Sequence, residues 1–181
     1  MFVDWGRPPK VAVSALSRPL IAAAERQVGV EMPYLRALAA TSGGAFARWM
    51  MAMPAAQYRK KAPREAWHLA RLGATVALDC GTCVQIVVNV ARKDGVGAML
   101  LRRALDEPHT LPDDDRAAYT FGHAVASQAE GVAERAAEVE ALFGHDVHVE
   151  LSMAVAMCSV FPIIKRGLGQ SLACSLVTID V

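Results

Sequence analysis

Apolar residues recur along the chain at helical spacing, and no stretch sustains the alternation typical of a strand. Proline and glycine divide this pattern into separate segments. The spacing predicts a first helix over residues 17–28 and a second over 33–41, which Pro33 opens. A third is predicted over 45–53 and ends before Pro54. Residues 1–16 carry no periodicity and are expected to be irregular.

The remaining two thirds of the chain show the same pattern at greater length. Further helices are predicted over residues 64–78, 80–93, 96–105, 113–143 (with a kink at Gly131), 147–160 and 163–178. Asp79 is expected to cap the second of these, and Pro162 is expected to interrupt the chain between the last two. The predicted fold class is all-α.

Length and composition suit one domain over residues 1–181. Apolar residues make up 54% of the chain, much of it alanine, which favours helix. That fraction exceeds what one small core needs, so a homo-oligomer that buries further helical faces is predicted. The net charge of +1, the lack of a basic block and the few aromatic residues argue against a nucleic-acid partner.

The sequence also predicts a soluble, cytoplasmic protein without a membrane partner. The N-terminus lacks the plan of a signal peptide, and the longest apolar run, residues 153–164, is too short to cross a bilayer. In that compartment four cysteines do not form a disulfide framework. A closely spaced pair indicates redox chemistry or metal binding instead.

The sequence contains one such pair, Cys80 and Cys83, at the start of a predicted helix. Residues three apart in a first turn share one face at a spacing that a disulfide can bridge. The free N–H groups and positive dipole end of that turn stabilise a thiolate. A thiolate attacks peroxides and disulfides, and a neighbouring thiol can resolve the sulfenic acid that forms.

Two other interpretations compete with redox use. Both cysteines could be buried and inert, because free cysteine is among the most buried residue types. A zinc site would need two further ligands, and the sequence has no second CxxC or HxxxH. His145 and His148 could face a metal together, but nothing nearby in sequence completes that set. No metal and no cofactor are therefore predicted, and redox chemistry leads.

The segments that surround the pair resemble the alkylhydroperoxidase-D/carboxymuconolactone decarboxylase family. The resemblance covers roughly residues 60–175 and is carried by LDCGTCVQ at 78–85, NVARKDGV at 89–96 and FPIIKRGLG at 161–169. It implies an all-helical fold with the CxxC at the N-terminus of a core helix, assembled as trimers or hexamers. It also implies, for the peroxidase branch, reduction of organic hydroperoxides by the cysteine pair at the expense of a thiol or dithiol reductant.

Residue roles transfer from the family only in part. Cys83 matches the cysteine that attacks peroxide and Cys80 the one that resolves it. Val87 stands where the family has a histidine, and His68 stands where it has a glutamate. His68 is therefore the candidate base on the facing helix, with a structural, hydrogen-bonded histidine as the alternative. Gln85 is the candidate substrate-binding residue, with a buried, paired amide as its alternative.

Other side chains have simpler interpretations. Cys158 and Cys174 lie in apolar surroundings and are expected to pack in the core. Lys165 and Arg166 could pair with an acidic substrate or with the end of a helix, and a surface position is the default expectation. The leading function is thus thiol-dependent hydroperoxide reduction or related disulfide chemistry. The alternatives are a cofactor-free decarboxylase or isomerase of a lactone-like acid, and a non-enzymatic, redox-responsive oligomer.

Overall fold

The computed structural model describes residues 17–170, and within them the chain is helical with no strand. The α-helices of this part are α1 (Ser17–Val28), α2 (Pro33–Thr41), α3 (Gly43–Ala52), α4 (Arg64–Ala77), α5 (Gly81–Lys93), α6 (Ala98–Asp106), α7 (Asp113–Ser127), α8 (Val132–Phe143) and α9 (His145–Gly167). Short 3-10 helices span Met53–Gln57 and Pro108–Thr110. The all-α prediction is confirmed for these residues. The predictions for residues 1–16 and 171–178 lie outside them.

The chain divides into two compact units, one up to Met53 and one from Pro54 onward. The prediction of a single domain over the whole chain is not tested by this division. In the first unit, Glu25 near the end of α1 accepts a hydrogen bond from the backbone N–H of Met32 at 2.8 Å and pairs with Arg36 of α2 at 2.5 Å. One carboxylate thus holds the connection between these two helices.

The second unit is built around α4. All residues of this helix from Ala66 to Thr75 are buried. One apolar cluster on α4 includes side chains of α7, α8 and α9, and a second includes side chains of α5, α6 and α7. Helix α7 packs most closely, because Gly73 of α4 lies on the carbonyl of Tyr119 and Gly122 of α7 on the carbonyl of Ala70. A methyl group at either glycine would overlap that backbone.

The long helix predicted over residues 113–143 is instead two helices. Helix α7 ends where Gln128 adopts a left-handed φ of 54°, and the N–H of Ala129 returns to the carbonyl of Ala124 at 3.1 Å. This is a standard way of satisfying the last carbonyls of a helix. Gly131, with φ of 83°, then precedes α8. The break is complete, so the expectation of a kink was wrong.

The expected interruption at Pro162 was also wrong, since α9 continues through it to Gly167. Pro162 lacks an N–H for the carbonyl one turn back, but its ring is buried, and packing holds the helix together. Helix α9 is consequently long and apolar enough to cross a membrane by length and composition. Its buried residues, among them Leu151, Val155 and Cys158, are also those of a core helix.

Candidate functional site

The Cys80–Cys83 pair lies at the turn from α4 to α5. Asp79 adopts a left-handed φ of 48°, its N–H returns to the carbonyl of Val76 at 3.0 Å, and α5 begins at Gly81. Cys80 itself occupies the capping position, so the prediction that Asp79 caps this helix was wrong by one residue. Cys83 is in the first turn of α5, as the motif predicts.

The two sulfur atoms are in direct contact. The distance between the Sγ atoms of Cys80 and Cys83 is 2.6 Å. Cys83 is only 4% exposed, whereas Cys80 is half-buried. A small molecule that approaches this pair from solvent therefore meets Cys80 first.

Lys165 of α9 completes the site. Its Nζ lies 3.4 Å from the Sγ of Cys80 and 3.9 Å from the Sγ of Cys83. Lys165 is 9% exposed, so its expected place at the surface was wrong. The neighbouring Arg166 donates to the carbonyl of Leu78 and links the end of α9 to the same turn. The sequence contains one clue to this placement, because Cys158, Pro162 and Lys165 follow one another on a single buried face of α9.

The contacts around the pair shift the pKa values of its two thiols in opposite directions. The hydrogen bond from the Cys83 thiol, assisted by the Lys165 ammonium, lowers the pKa of Cys80 to about 5 against the opposing effect of burial. The hydrogen bond with Cys80 and burial raise the pKa of Cys83. The shorter distance to the Lys165 ammonium and the greater solvent access both favour Cys80 as the sulfur that carries the negative charge.

His68 lies at the other end of α5 from the cysteines. Its Nε2 is 3.0 Å from the Oδ2 of Asp94, which follows α5 directly. At about 1.5 Å per residue, Asp94 is roughly 16 Å along the helix axis from Cys83. His68 is 1% exposed, and burial, followed by the charge of Arg71, lowers its pKa to about 4. This geometry gives the hypothesis of a thiol base no support and fits the structural alternative.

Two residues of α5 carried expectations from the sequence, Gln85 and Val87, and both make contacts that are ordinary for a helix. Gln85 is half-buried, and its Nε2 donates to the Oδ1 of Asn89 at 2.8 Å. Its role in substrate binding stays a prediction. Val87, where the family has a histidine, is 2% exposed and belongs to the apolar cluster shared with α6. The charged side chain beside the thiols comes from α9 instead.

Cys158 is buried as predicted, and burial raises the pKa of its thiol to about 11. Its Sγ lies 3.2 Å from the carbonyl of Val155 in its own helix. This thiol is therefore protonated and inaccessible at neutral pH, which fits core packing. Cys174 is outside the described residues.

The described residues thus form an all-helical fold in which a CxxC pair lies beside a buried lysine. In comparisons with known proteins, no family model, curated protein or solved structure matches it. The resemblance in the CxxC region therefore rests on the motifs alone.

Proposed function

We propose that the protein is a thiol oxidoreductase that reduces hydroperoxides, with Cys80 as the attacking thiolate and Cys83 as the resolving thiol. The observation that supports this most directly is the Nζ of Lys165, 3.4 Å from the more exposed sulfur. A buried ammonium beside a half-buried thiolate is typical of a reactive cysteine. The proposal exchanges the two roles that the family resemblance implies.

The reaction has two steps. The Cys80 thiolate attacks the terminal oxygen of the hydroperoxide, the O–O bond breaks, and the products are a sulfenic acid and an alkoxide, which takes a proton from Lys165 and leaves as the alcohol. The Cys83 thiol then attacks the sulfenic sulfur, so that a disulfide forms and water leaves. A thiol or dithiol reductant restores both thiols by exchange, and solvent reprotonates Lys165.

Peroxide consumption with single cysteine variants tests the proposal. Wild-type protein should consume cumene hydroperoxide in the presence of dithiothreitol, and Cys80→Ser should not. Cys83→Ser should still react once, and dimedone should trap the sulfenic acid at position 80. Cys158→Ala is the matched control, because it removes a buried thiol that is not part of the pair.

The outcomes separate the alternatives. A trapped sulfenic acid at Cys83 in Cys80→Ser would restore the roles implied by the resemblance. If the wild type consumes no more peroxide than a Cys80→Ser/Cys83→Ser double variant, the peroxidase proposal fails. Reversible disulfide formation without turnover would then favour a redox-responsive protein.

We propose, as a separate point, that the chain forms homo-oligomers through α9. Its exposed apolar residues Val149, Met153 and Ile163 fall within an arc of roughly 80° on the helix, and Lys165 lies on the opposite side. Light scattering after size-exclusion chromatography tests this. Met153→Lys should lower the measured mass of the assembly. A wild-type protein with the mass of a monomer would refute the oligomer proposal.

A further inference from the structure

Two histidines and a carboxylate meet at the turn between α8 and α9. The Nδ1 of His145 is 3.2 Å from one carboxylate oxygen of Glu140, and the Nδ1 of His148 is 3.1 Å from the other. From the sequence, nothing nearby was expected to complete this histidine pair. That expectation was wrong, because Gly144 alone separates the helices and returns the start of α9 to the last turn of α8.

The turn holds the three side chains in place before any ligand binds. Gly144 has a φ of 85°, and its N–H donates to the carbonyl of Glu140 at 2.9 Å. The two histidines are three apart in the first turn of α9 and therefore share a face. The ring of His148 packs edge-on against Phe121 of α7, with 5.6 Å between ring centroids.

The spacing of the donor atoms fits a metal ion. One nitrogen of each histidine and one oxygen of Glu140 lie within 4.8 Å of one another. Four-coordinate zinc with bonds of about 2.0–2.2 Å places its ligand atoms roughly 3.3–3.5 Å apart. The nitrogen–oxygen distances of 3.2 and 3.1 Å are already close to this separation, but each runs to a different oxygen of Glu140. Because all three donor atoms lie within 4.8 Å of one another, side-chain rotations that shorten the longer separations by less than about 1.5 Å would complete the arrangement.

We propose that Glu140, His145 and His148 bind a divalent transition-metal ion of the zinc type. Two imidazoles and one carboxylate suit zinc, cobalt, nickel or copper, whereas magnesium and calcium prefer oxygen ligands throughout. Glu140 and His145 are exposed, so a fourth coordination position faces solvent and takes water. The bound ion ties the last turn of α8 to the first turn of α9.

Metal titration of the tag-free chain of residues 1–181 tests this site. Cys80 and Cys83 are replaced by serine in every sample, so that the thiols cannot take the ion. Cobalt is added at about pH 7.5, where imidazole is mostly neutral, and its visible absorption reports the coordination geometry. Zinc binding is measured by calorimetry, and the melting temperature is recorded with and without zinc.

We expect about one ion per chain, a tetrahedral cobalt spectrum and a melting temperature that zinc raises. His145→Ala and Glu140→Gln should each weaken zinc binding about tenfold or more and abolish the rise in melting temperature. Both side chains are exposed, so these variants should keep the wild-type circular dichroism spectrum. His109→Ala removes a histidine elsewhere and should change nothing.

Two results would overturn the proposal. One is the absence of zinc binding and of a cobalt spectrum in the chain with all three residues intact. The other is binding that His145→Ala and Glu140→Gln leave unchanged, since the ion would then occupy a different place. Neither result bears on the thiol chemistry, because Cys80 and Cys83 are replaced in every sample.

Discussion

Replacing Lys165 with methionine tests whether the ammonium on α9 controls the reactivity of Cys80. Methionine keeps much of the length and volume of the lysine side chain and removes its charge. In the wild type the Nζ lies 3.4 Å from the Sγ of Cys80, in a setting where Lys165 is 9% exposed. The variant should therefore lose the attraction between ammonium and thiolate and keep most of the packing.

The size of the effect follows from that distance. Unit charges 3.4 Å apart attract by about 5 kcal/mol at an effective dielectric constant of roughly 20. Solvent access to the half-buried Cys80 reduces this, and an opposite charge at such a range typically moves a pKa by about 1 to 3. The pKa of Cys80 should rise from about 5 to between about 6 and 8 in Lys165→Met. At pH 6 the thiolate fraction should fall from about nine tenths to about half or less.

The assay is the rate of alkylation by iodoacetamide as a function of pH, in a Cys83→Ala background so that one thiol of the pair is followed. That background loses the hydrogen bond between the two sulfurs, so the pKa of Cys80 starts higher there than in the wild type. The assay therefore tests the rise of about 1 to 3 in that pKa on replacing Lys165, not the absolute value. The comparison is between the Cys83→Ala protein and the same protein carrying Lys165→Met, with mass spectrometry to locate the label. Lys93→Met, which removes a charge at the far end of α5, is the matched control.

A clear result refutes the reasoning. If Lys165→Met and its parent show the same pH midpoint while the circular dichroism spectra agree, the ammonium does not stabilise the thiolate. The same conclusion follows if Lys93→Met moves the midpoint as far, because the effect would then be one of net charge. In either case the short distance between Lys165 and Cys80 no longer supports the proposed function.

Three further predictions concern the core. Gly122→Ala should destabilise the protein by about 3 kcal/mol or more in urea unfolding, because the new methyl group overlaps the carbonyl of Ala70. Gly97→Ala is the control, since its methyl group meets no atom, and it should cost under about 1 kcal/mol. Glu150→Gln should cost about 2 kcal/mol at pH 7, since the buried carboxylate accepts three backbone N–H bonds at 2.9–3.0 Å. These bonds lower the pKa of Glu150, so its stabilisation is present above about pH 4.3 and is lost as the pH falls further. The pKa of His68 is also lowered, to about 4, so on acidification His68 becomes protonated in the unfolded chain before it does in the folded protein. This difference costs the folded state about 2 kcal/mol between pH 7 and pH 5, and His68→Gln should remove that loss. Equal pH dependence in the variant and the wild type would contradict this last point.

The helices of this protein could be predicted from local sequence wherever a proline or glycine marks their ends. The predicted bounds of α1 and α2 agree with the structure, because Pro33 and the glycine after Val28, with φ of 70°, act locally. The predictions failed at Gln128 and Pro162. A left-handed glutamine and a proline inside a helix are both locally unfavourable, and their surroundings decide the outcome.

The candidate site, too, could be predicted only in part from the sequence. The spacing of Cys80 and Cys83 placed both sulfurs at the start of one helix. The sequence could not show that Lys165 lies beside them, because a lysine at the end of an apolar helix is usually solvated. Nor could it show that His68 pairs with Asp94, far from the thiols, since the two residues are 26 positions apart in the chain.

Taken by itself, the sequence determined the all-helical class, most helix ends and the pair of thiols, because each depends on residues within a few positions of one another. Only the tertiary structure decided which cysteine lies nearer to an ammonium group and which histidines meet a carboxylate. Those properties depend on distances of 3–4 Å between side chains from different helices, where burial and charge act together. Local periodicity carries no information about such distances.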